Sequence, residues 1–252
     1  MPEVIGDLVD LPRGAHCASF HATPEEASQN AVDLLAGAPE GQASMYWVSE
    51  PGRVHVYDRQ LSEEAPSQVG CVAVLSHEQV TWVEGKLRPV PEVLEFVRSH
   101  PEGVTAAGDT LSEYWAPRNI PDHLEYERWF ETQPRDSSRF LCPYDLRKIP
   151  PELAQLVMNE LGAHHSHVTL SRSEEPAVRL LQLFLFTTVD QVPPNLSESL
   201  DWAERTGLVS IAISSGEIQL TPDGAAAIRL WSEGVAFDWS SAPDPGRKFS
   251  TP

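Results

Sequence analysis

Over the first two-thirds of the chain, short apolar runs alternate with stretches in which apolar residues recur at helical spacing. The runs at residues 15–20, 43–50 and 69–76 predict strands, and their near-continuous apolar character is typical of strands buried on both faces. A helix is predicted from Pro24 to about Gly37, and another begins near Pro91. Residues 52–65 between the second and third strands predict a crossover.

The same alternation continues beyond residue 100. A strand and loop are predicted at residues 103–115, further strands at 139–146 and 165–170, and helices at 121–132 and 150–161. A short extended segment is predicted from Val80 up to the helix near Pro91. About six such alternations fit before Leu170, so the pattern predicts an α/β fold with a mostly parallel sheet flanked by helices.

The pattern changes after residues 171–175. A strongly apolar stretch at 176–189 and an amphipathic one at 195–207 predict two helices, and two short runs around Ser215 and Gly216 predict a hairpin. A further helix is predicted at 222–234. This order is typical of a small winged-helix-like α+β module. The predicted domains are therefore residues 1–172, residues 176–234 and a flexible tail at 235–252.

Charge and cysteine content narrow the classes of partner and site. The chain has 37 acidic and 18 basic residues, a formal charge of −19, which disfavours binding to DNA or an anionic membrane surface. No long apolar run and no signal-peptide pattern is present, so we expect a cytoplasmic protein with no membrane partner. Cys17, Cys71 and Cys142 lie far apart without C-x-x-C spacing, which predicts neither a disulfide framework nor a zinc knuckle.

The junction between the first strand and the first helix does not match a phosphate-binding loop. No G-x-x-x-x-G-K-[ST] motif follows the strand. Instead Thr23 is predicted to cap the helix, with Pro24 at its first position and Glu26 completing a capping box. The acidic side chains in the first turn of this helix repel an anion, so we expect no triphosphate at this position.

Three segments resemble a known family of regulatory domains. Residues 16–50 begin with a His-Cys strand, residues 108–131 contain Tyr126 and Glu127, and residues 140–158 contain the most specific motif, C-x-Y-D. Together they resemble the methanogen/methylotroph sensory (MEDS) domain from about Gly14 to Leu170. The resemblance implies a RecA/KaiC-like core without an intact phosphate loop that acts as a sensory or ligand-binding module.

A ligand pocket is predicted at the carboxyl ends of the strands, where open α/β sheets bind ligands. Its candidate lining residues are His16, Cys17, Phe20, Glu127, Cys142, Tyr144 and Asp145. Because neighbouring residues of a strand point to opposite faces, His16 and Cys17 are not expected to bind the same ion. The alternative is that the cysteines are small core residues, His16 a hydrogen-bonded core residue and Glu127 the acceptor of a structural hydrogen bond.

Neither a cofactor nor a metal ion is expected, because the histidines and cysteines lack the spacing of a ligand set. His164, His165 and His167 are candidates for a cluster sensitive to pH or metal. An exposed loop that leads into a strand is the preferred interpretation of that run. Neither a triad nor an H-E-x-x-H motif is present, so no catalytic residue is predicted.

The preferred functional hypothesis is a non-catalytic cytoplasmic sensory or regulatory protein that binds a small-molecule signal. Its C-terminal module is expected to form a homo-oligomer or contact a partner through an apolar stretch made of Leu180, Leu181, Leu183, Phe184, Leu185 and Phe186. One alternative is a DNA-binding transcriptional regulator, although the candidate recognition helix carries three acidic residues, Glu198, Asp201 and Glu204, beside Arg205. Another is an enzyme with Cys17 or Cys142 as its nucleophile.

Overall fold

The structure is a computed structural model that describes residues 2–39, 42–48, 63, 72–76, 80–83, 86–89, 91–108, 120–133, 137–237 and 239. Most of the predicted crossover at 52–65, Cys71, and most of the predicted tail at 235–252 lie outside the described residues. The chain divides into two units. The first comprises Met1–Lys148 with Glu160–Arg172, and the second comprises Ile149–Asn159 with Ser173–Pro252.

A seven-stranded sheet forms the centre of the first unit among the described residues. In chain order its strands are β1 (Glu3–Val4), β2 (His16–His21), β3 (Ala43–Val48), β4 (Val72–Ser76), β7 (Val104–Gly108), β8 (Arg139–Asp145) and β9 (His167–Thr169). They lie in the order β1-β9-β2-β8-β7-β3-β4. Every neighbouring pair is parallel, which confirms the predicted parallel sheet.

Helices flank this sheet and pack on apolar side chains of both its faces. The helices with residues in this unit are α1 (Pro24–Ala36), α2 (Pro91–Arg98), α3 (Ile120–Glu131) and α4 (Ala154–His164). Cys17 and Leu141 point to one face, where they form a buried cluster with Leu34 and Leu35 of α1. On the other face, Phe140 belongs to a cluster with Phe96 and Val97 of α2 and Phe130 of α3. The predicted α/β class is confirmed, and the arrangement is compatible with a RecA/KaiC-like core.

The first helix begins at the predicted cap, but Glu26 does not complete the predicted capping box, because its carboxylate accepts from the Ala22 N–H instead of the Thr23 N–H. Thr23 Oγ1 accepts a hydrogen bond from the Glu26 backbone N–H at 3.2 Å, and Pro24 follows the cap. The Glu26 carboxylate accepts hydrogen bonds from the backbone N–H groups of Ala22 and Arg172 and from the Ser171 hydroxyl. Glu26 therefore connects the end of β2 to the segment that follows β9.

The second unit contains the elements predicted for the C-terminal module. Helices α5 (Pro176–Leu183) and α6 (Pro194–Arg205) precede the antiparallel pair β10 (Val209–Ile211) and β11 (Ile218–Leu220), and α7 (Pro222–Ser232) follows. Gly216, in the turn between the two strands, has a φ of +68°. Glycine adopts this backbone conformation readily because it lacks a Cβ. The predicted hairpin is confirmed, and the order is compatible with a winged-helix-like module.

Three features differ from the sequence-based expectation. The segment that begins at Val80 is not one extended run but an antiparallel pair, β5 (Val80–Val83) and β6 (Lys86–Pro89). The two-residue strand β1 was not predicted, because a run this short carries no periodicity.

The apolar stretch proposed as a pairing surface is the third difference. All six of its side chains, Leu180, Leu181, Leu183, Phe184, Leu185 and Phe186, are buried within the single chain. That surface is therefore not available to a partner, and the expectation that these residues pair protomers is wrong. The homo-oligomer itself stays a prediction.

Among the helices that the structure describes, none combines the length and the apolar character needed to cross a membrane.

Candidate functional site

Four side chains that commonly bind metals converge on one face of the parallel sheet. His16 is the first residue of β2, and Cys142 lies in the neighbouring strand β8. The register pairs Ala18 with Cys142, and because side chains alternate along a strand, His16 and Cys142 point to the same face. Glu127 reaches this face from α3, and His165 reaches it from the turn between α4 and β9.

The donor atoms of these four residues are close enough to surround a single ion. One donor atom from each residue lies within 4.8 Å of each of the others. His16 Nε2 is 3.2 Å from Cys142 Sγ and 3.7 Å from Glu127 Oε2. His165 Nε2 is 3.6 Å from Glu127 Oε2. We call His16, Glu127, Cys142 and His165 the core cluster; its members are buried except Cys142, which is partly exposed.

Glu127 is the acidic centre of the core cluster. Tyr144 donates a hydrogen bond from its hydroxyl to Glu127 Oε1 at 2.7 Å, and His123 Nε2 lies 3.5 Å from the same oxygen. Among the described residues, Glu127 Oε2 has no hydrogen-bond partner. Burial by itself raises the pKa of Glu127, but the approach of His123 and the charges that His165 and His16 carry when they are protonated outweigh it and lower the pKa to about 2. The carboxyl group is therefore ionised at neutral pH.

His165 presents a lone pair toward Glu127. Its Nδ1 is 2.8 Å from the Leu161 carbonyl oxygen, and because that oxygen can only accept, Nδ1 carries the proton. Burial lowers the pKa of His165 to about 3, with the His16 charge acting in the same direction. The ring is therefore neutral near pH 7. Its unprotonated Nε2 faces the carboxylate, which leaves two electron-rich atoms opposite each other.

The ring of His16 is held between two aromatic neighbours. Its centroid is 4.0 Å from that of His165 and 4.8 Å from that of Phe130. His16 is fully buried, and its Nδ1 has no hydrogen-bond partner among the described residues, although Glu131 Oε2 lies 3.8 Å away. The packing therefore fixes the direction in which His16 Nε2 points.

The structure brings together only some of the residues predicted to line a pocket. Phe20 and Tyr144 are buried beside the core cluster, with ring centroids 5.7 Å apart. Burial, followed by the charge of Glu127, raises the pKa of Tyr144, so its hydroxyl stays a donor. Asp145 lies where β8 ends and accepts a hydrogen bond from the Arg147 backbone N–H. Cys17 is buried in the apolar cluster on the opposite face of the sheet.

Cys17 and Cys142 should therefore differ in reactivity toward alkylating agents. Burial raises the pKa of the Cys17 thiol far above its ordinary range, with a hydrogen bond from the Thr169 backbone acting weakly in the opposite direction. We expect iodoacetamide to label Cys142 slowly in the folded chain, because it is partly exposed, but to label Cys17 only after unfolding, because the thiolate is the nucleophile. Mass spectrometry of the digested peptides distinguishes these sites from Cys71. Equal labelling of Cys17 in folded and unfolded protein would contradict this burial.

The sequence did not identify His123 as a site residue, and it indicated His165 only as one of three candidates for a cluster sensitive to pH or metal. The expectation that residues 164–167 form an exposed loop is wrong for His165, which is 3 % exposed. The sequence does not distinguish these neighbouring histidines. His164 is the last residue of α4 and contacts Glu160, whereas His165 directly follows the helix and is buried. For His123 a signal existed: it precedes Glu127 by four residues, so both lie on one face of α3.

The second unit presents an acidic rather than a basic helix face. Glu198, Asp201, Glu204 and Arg205 of α6 line a shallow cleft, and all four are exposed. A face with three carboxylates beside one guanidinium repels the phosphate groups of DNA. The exposed residues at the tip of the hairpin are Ile213, Ser214, Ser215 and Glu217, none of which is a lysine or arginine.

Comparisons with known proteins leave the family open. No protein-family model matches the chain, and no curated protein matches it. A solved structure from Pyrococcus horikoshii OT3, described only as a structural study of a numbered project, is similar to this chain with a TM-score of 0.45 and 7% sequence identity. The similarity covers 64% of this chain and 83% of that one. At this identity and TM-score the likeness identifies neither a family nor a function.

Proposed function

We propose that this chain is a non-catalytic sensory or regulatory protein whose α/β unit holds a small ligand at the core cluster. The observation that carries the proposal is the convergence of donor atoms from His16, Glu127, Cys142 and His165 to within 4.8 Å inside the fold. A buried polar group without a partner costs about 1–3 kcal/mol. Because His16 Nδ1 and Glu127 Oε2 both lack one among the described residues, the cluster is costly unless something else binds there.

Burial favours a retained ligand over a substrate that turns over. His16 and Glu127 are fully buried, so a substrate would have to open the fold in every cycle. Neither cysteine fits a nucleophile with ready access, since Cys17 is buried and Cys142 points into the cluster. These features favour a sensory role over the cysteine-dependent enzyme. The acidic face of α6 likewise disfavours the DNA-binding regulator.

Membership of the MEDS family and a cytoplasmic location belong to the same proposal. The C-x-Y-D motif, which carries the strongest resemblance, supplies two of the residues at the site. Cys142 points into the core cluster, and Tyr144 donates the hydrogen bond to Glu127. The second unit then serves as the output module, through assembly or through contact with another protein.

Native mass spectrometry of the full, tag-free chain purified without chelators tests this function. We expect the wild-type protein to retain a bound mass, because the site is enclosed. His165→Gln should lose that mass, whereas His164→Gln, altered at the adjacent and partly exposed residue, should keep it. Circular dichroism confirms that both variants are folded. Retention of no mass by the wild type, or of the same mass by both variants, would contradict a ligand at the core cluster.

A further inference from the structure

We infer that the core cluster is a four-coordinate site for a divalent transition-metal ion of the Zn²⁺ class, with His16, His165, Cys142 and Glu127 as ligands. This inference rests on the proposed function and names the ligand of that site. It also corrects the expectation of no metal, which depended on spacing along the chain. The four ligands come from two strands, a helix and a turn, and the fold assembles them.

Three of the six distances between the donor atoms are close to those of a tetrahedral metal site, and all six are 4.8 Å or less. With metal–nitrogen bonds of about 2.0–2.1 Å and a metal–sulfur bond of about 2.3 Å, ligand atoms of a tetrahedral site lie about 3.3–3.6 Å apart. The distances from His16 Nε2 to Cys142 Sγ and from His165 Nε2 to Glu127 Oε2 are 3.2 and 3.6 Å. The distance from His16 Nε2 to Glu127 Oε2 is 3.7 Å.

Neighbouring groups orient two of the ligands as they do in metal sites. The Leu161 carbonyl holds the proton of His165 on Nδ1, so Nε2 carries a lone pair; it lies 3.6 Å from Glu127 Oε2 and 3.4 Å from the Tyr144 hydroxyl. The Tyr144 hydroxyl occupies Glu127 Oε1, and Oε2 is left without a hydrogen-bond partner among the described residues. Glu127 is thus prepared for binding through one oxygen. In metal sites, groups that do not touch the ion make such contacts with the ligands and fix their orientation.

The charges and donor types select the kind of ion. The partners of Glu127 among the described residues are Tyr144 and three histidines, with neither lysine nor arginine among them. A divalent ion would balance one carboxylate and one thiolate, so the buried site would be neutral. Nitrogen and sulfur donors favour Zn²⁺ and similar ions and disfavour Mg²⁺ and Ca²⁺, which bind mainly oxygen.

Four protein ligands leave no position open for water or substrate. Structural zinc sites are closed in this way, whereas catalytic sites keep one position for the reacting molecule. A closed site agrees with a non-catalytic role. Cys142, the partly exposed ligand, lies on the most accessible side of the cluster.

Titration of the metal-free, full-length chain with Co²⁺ and Zn²⁺ tests the site. We expect one ion per chain, a higher melting temperature, and with Co²⁺ the intense visible bands of a four-coordinate site together with a thiolate-to-cobalt charge-transfer band. Zn²⁺ should displace Co²⁺ and remove these bands. A weak spectrum typical of six-coordinate Co²⁺, or the absence of binding, would overturn the inference.

Cys142 and Cys17, which lie on opposite faces of the sheet, supply a matched pair of variants. Cys142→Ala should remove the charge-transfer band and weaken Zn²⁺ binding by at least about 100-fold. A residue that binds the ion directly contributes more to the affinity than the groups that position it. Cys17→Ala removes the same thiol on the opposite face of the neighbouring strand and should change neither. Tyr144→Phe should keep the band but weaken binding about 10–100-fold, as expected for a positioning residue. A band that persists in Cys142→Ala would overturn the assignment.

The outcomes separate this inference from the proposed function. If the chain retains an organic mass that His165→Gln loses, and binds no ion, the metal site is wrong but the sensory function stands. If it retains no mass and binds no ion, both are wrong. One ion that depends on Cys142 and His165 but not on Cys17 or His164 supports both.

Discussion

Glu127→Ala should lower the free energy of unfolding of the metal-free chain by about 3–5 kcal/mol, because it removes one member of a buried ionic and hydrogen-bonded group. The carboxylate is fully buried and accepts the Tyr144 hydroxyl at 2.7 Å. Without it, the Tyr144 hydroxyl and the buried ring of His123 lose the carboxylate oxygen that faces them in the interior. Urea unfolding in the presence of a chelator measures the loss without any contribution from a bound ion.

Glu131→Ala is the matched control on the same helix, one turn further along. Its side chain is 42% exposed and lies 3.8 Å from His16 Nδ1, so we expect a cost of less than about 1 kcal/mol. Glu127→Gln keeps the size of the side chain and an acceptor for Tyr144, and should fall between the two. Equal stability of Glu127→Ala and Glu131→Ala would mean that the buried carboxylate does not hold the cluster together.

The fold followed from local patterns because each of its main elements carries its own signal. The strand β4 lies in a near-continuous apolar run, and α1 has Thr23 and Pro24 at its start. The strand β1 and the pair β5–β6 were missed because two to four residues show no period. The six apolar residues from Leu180 were read as a surface, because their number suggests a face but does not reveal that the chain itself covers it.

The site was only half predictable for a different reason. Alternation along a strand placed Cys142 and Tyr144 on one face of theirs, but only the register of β2 against β8 shows that His16 shares it. The contribution of His165 depends on how the turn after α4 directs its side chain, and an exposed and a buried histidine in that run look the same in sequence. The spacing of ligand residues along the chain therefore does not predict a metal site when every ligand belongs to a different element.

Gly103→Ala should be the second strongly destabilising change, with a loss of about 3 kcal/mol or more, because both the backbone and the available space require glycine. Gly103 has a φ of +93°, a conformation that residues with a Cβ rarely adopt. A Cβ built there would lie 2.0 Å from the Ser137 carbonyl oxygen. That backbone cannot withdraw freely, because Val104 N–H donates to Ser138 Oγ where β7 and β8 begin to pair.

Two other glycines separate the causes of this loss. Gly6→Ala, in the same unit, meets no atom within 4 Å and should change stability by less than about 0.5 kcal/mol. Gly207 has a φ of +73° but also meets no atom within 4 Å, so its replacement by alanine should cost only about 1–2 kcal/mol of backbone strain. Hydrogen exchange of the β7 and β8 amides reports the loss for Gly103→Ala directly. If those amides stay as protected as in the wild type, the close approach of residues 103 and 137 is not what aligns the two strands, and the face that carries Cys142 must be positioned by other contacts.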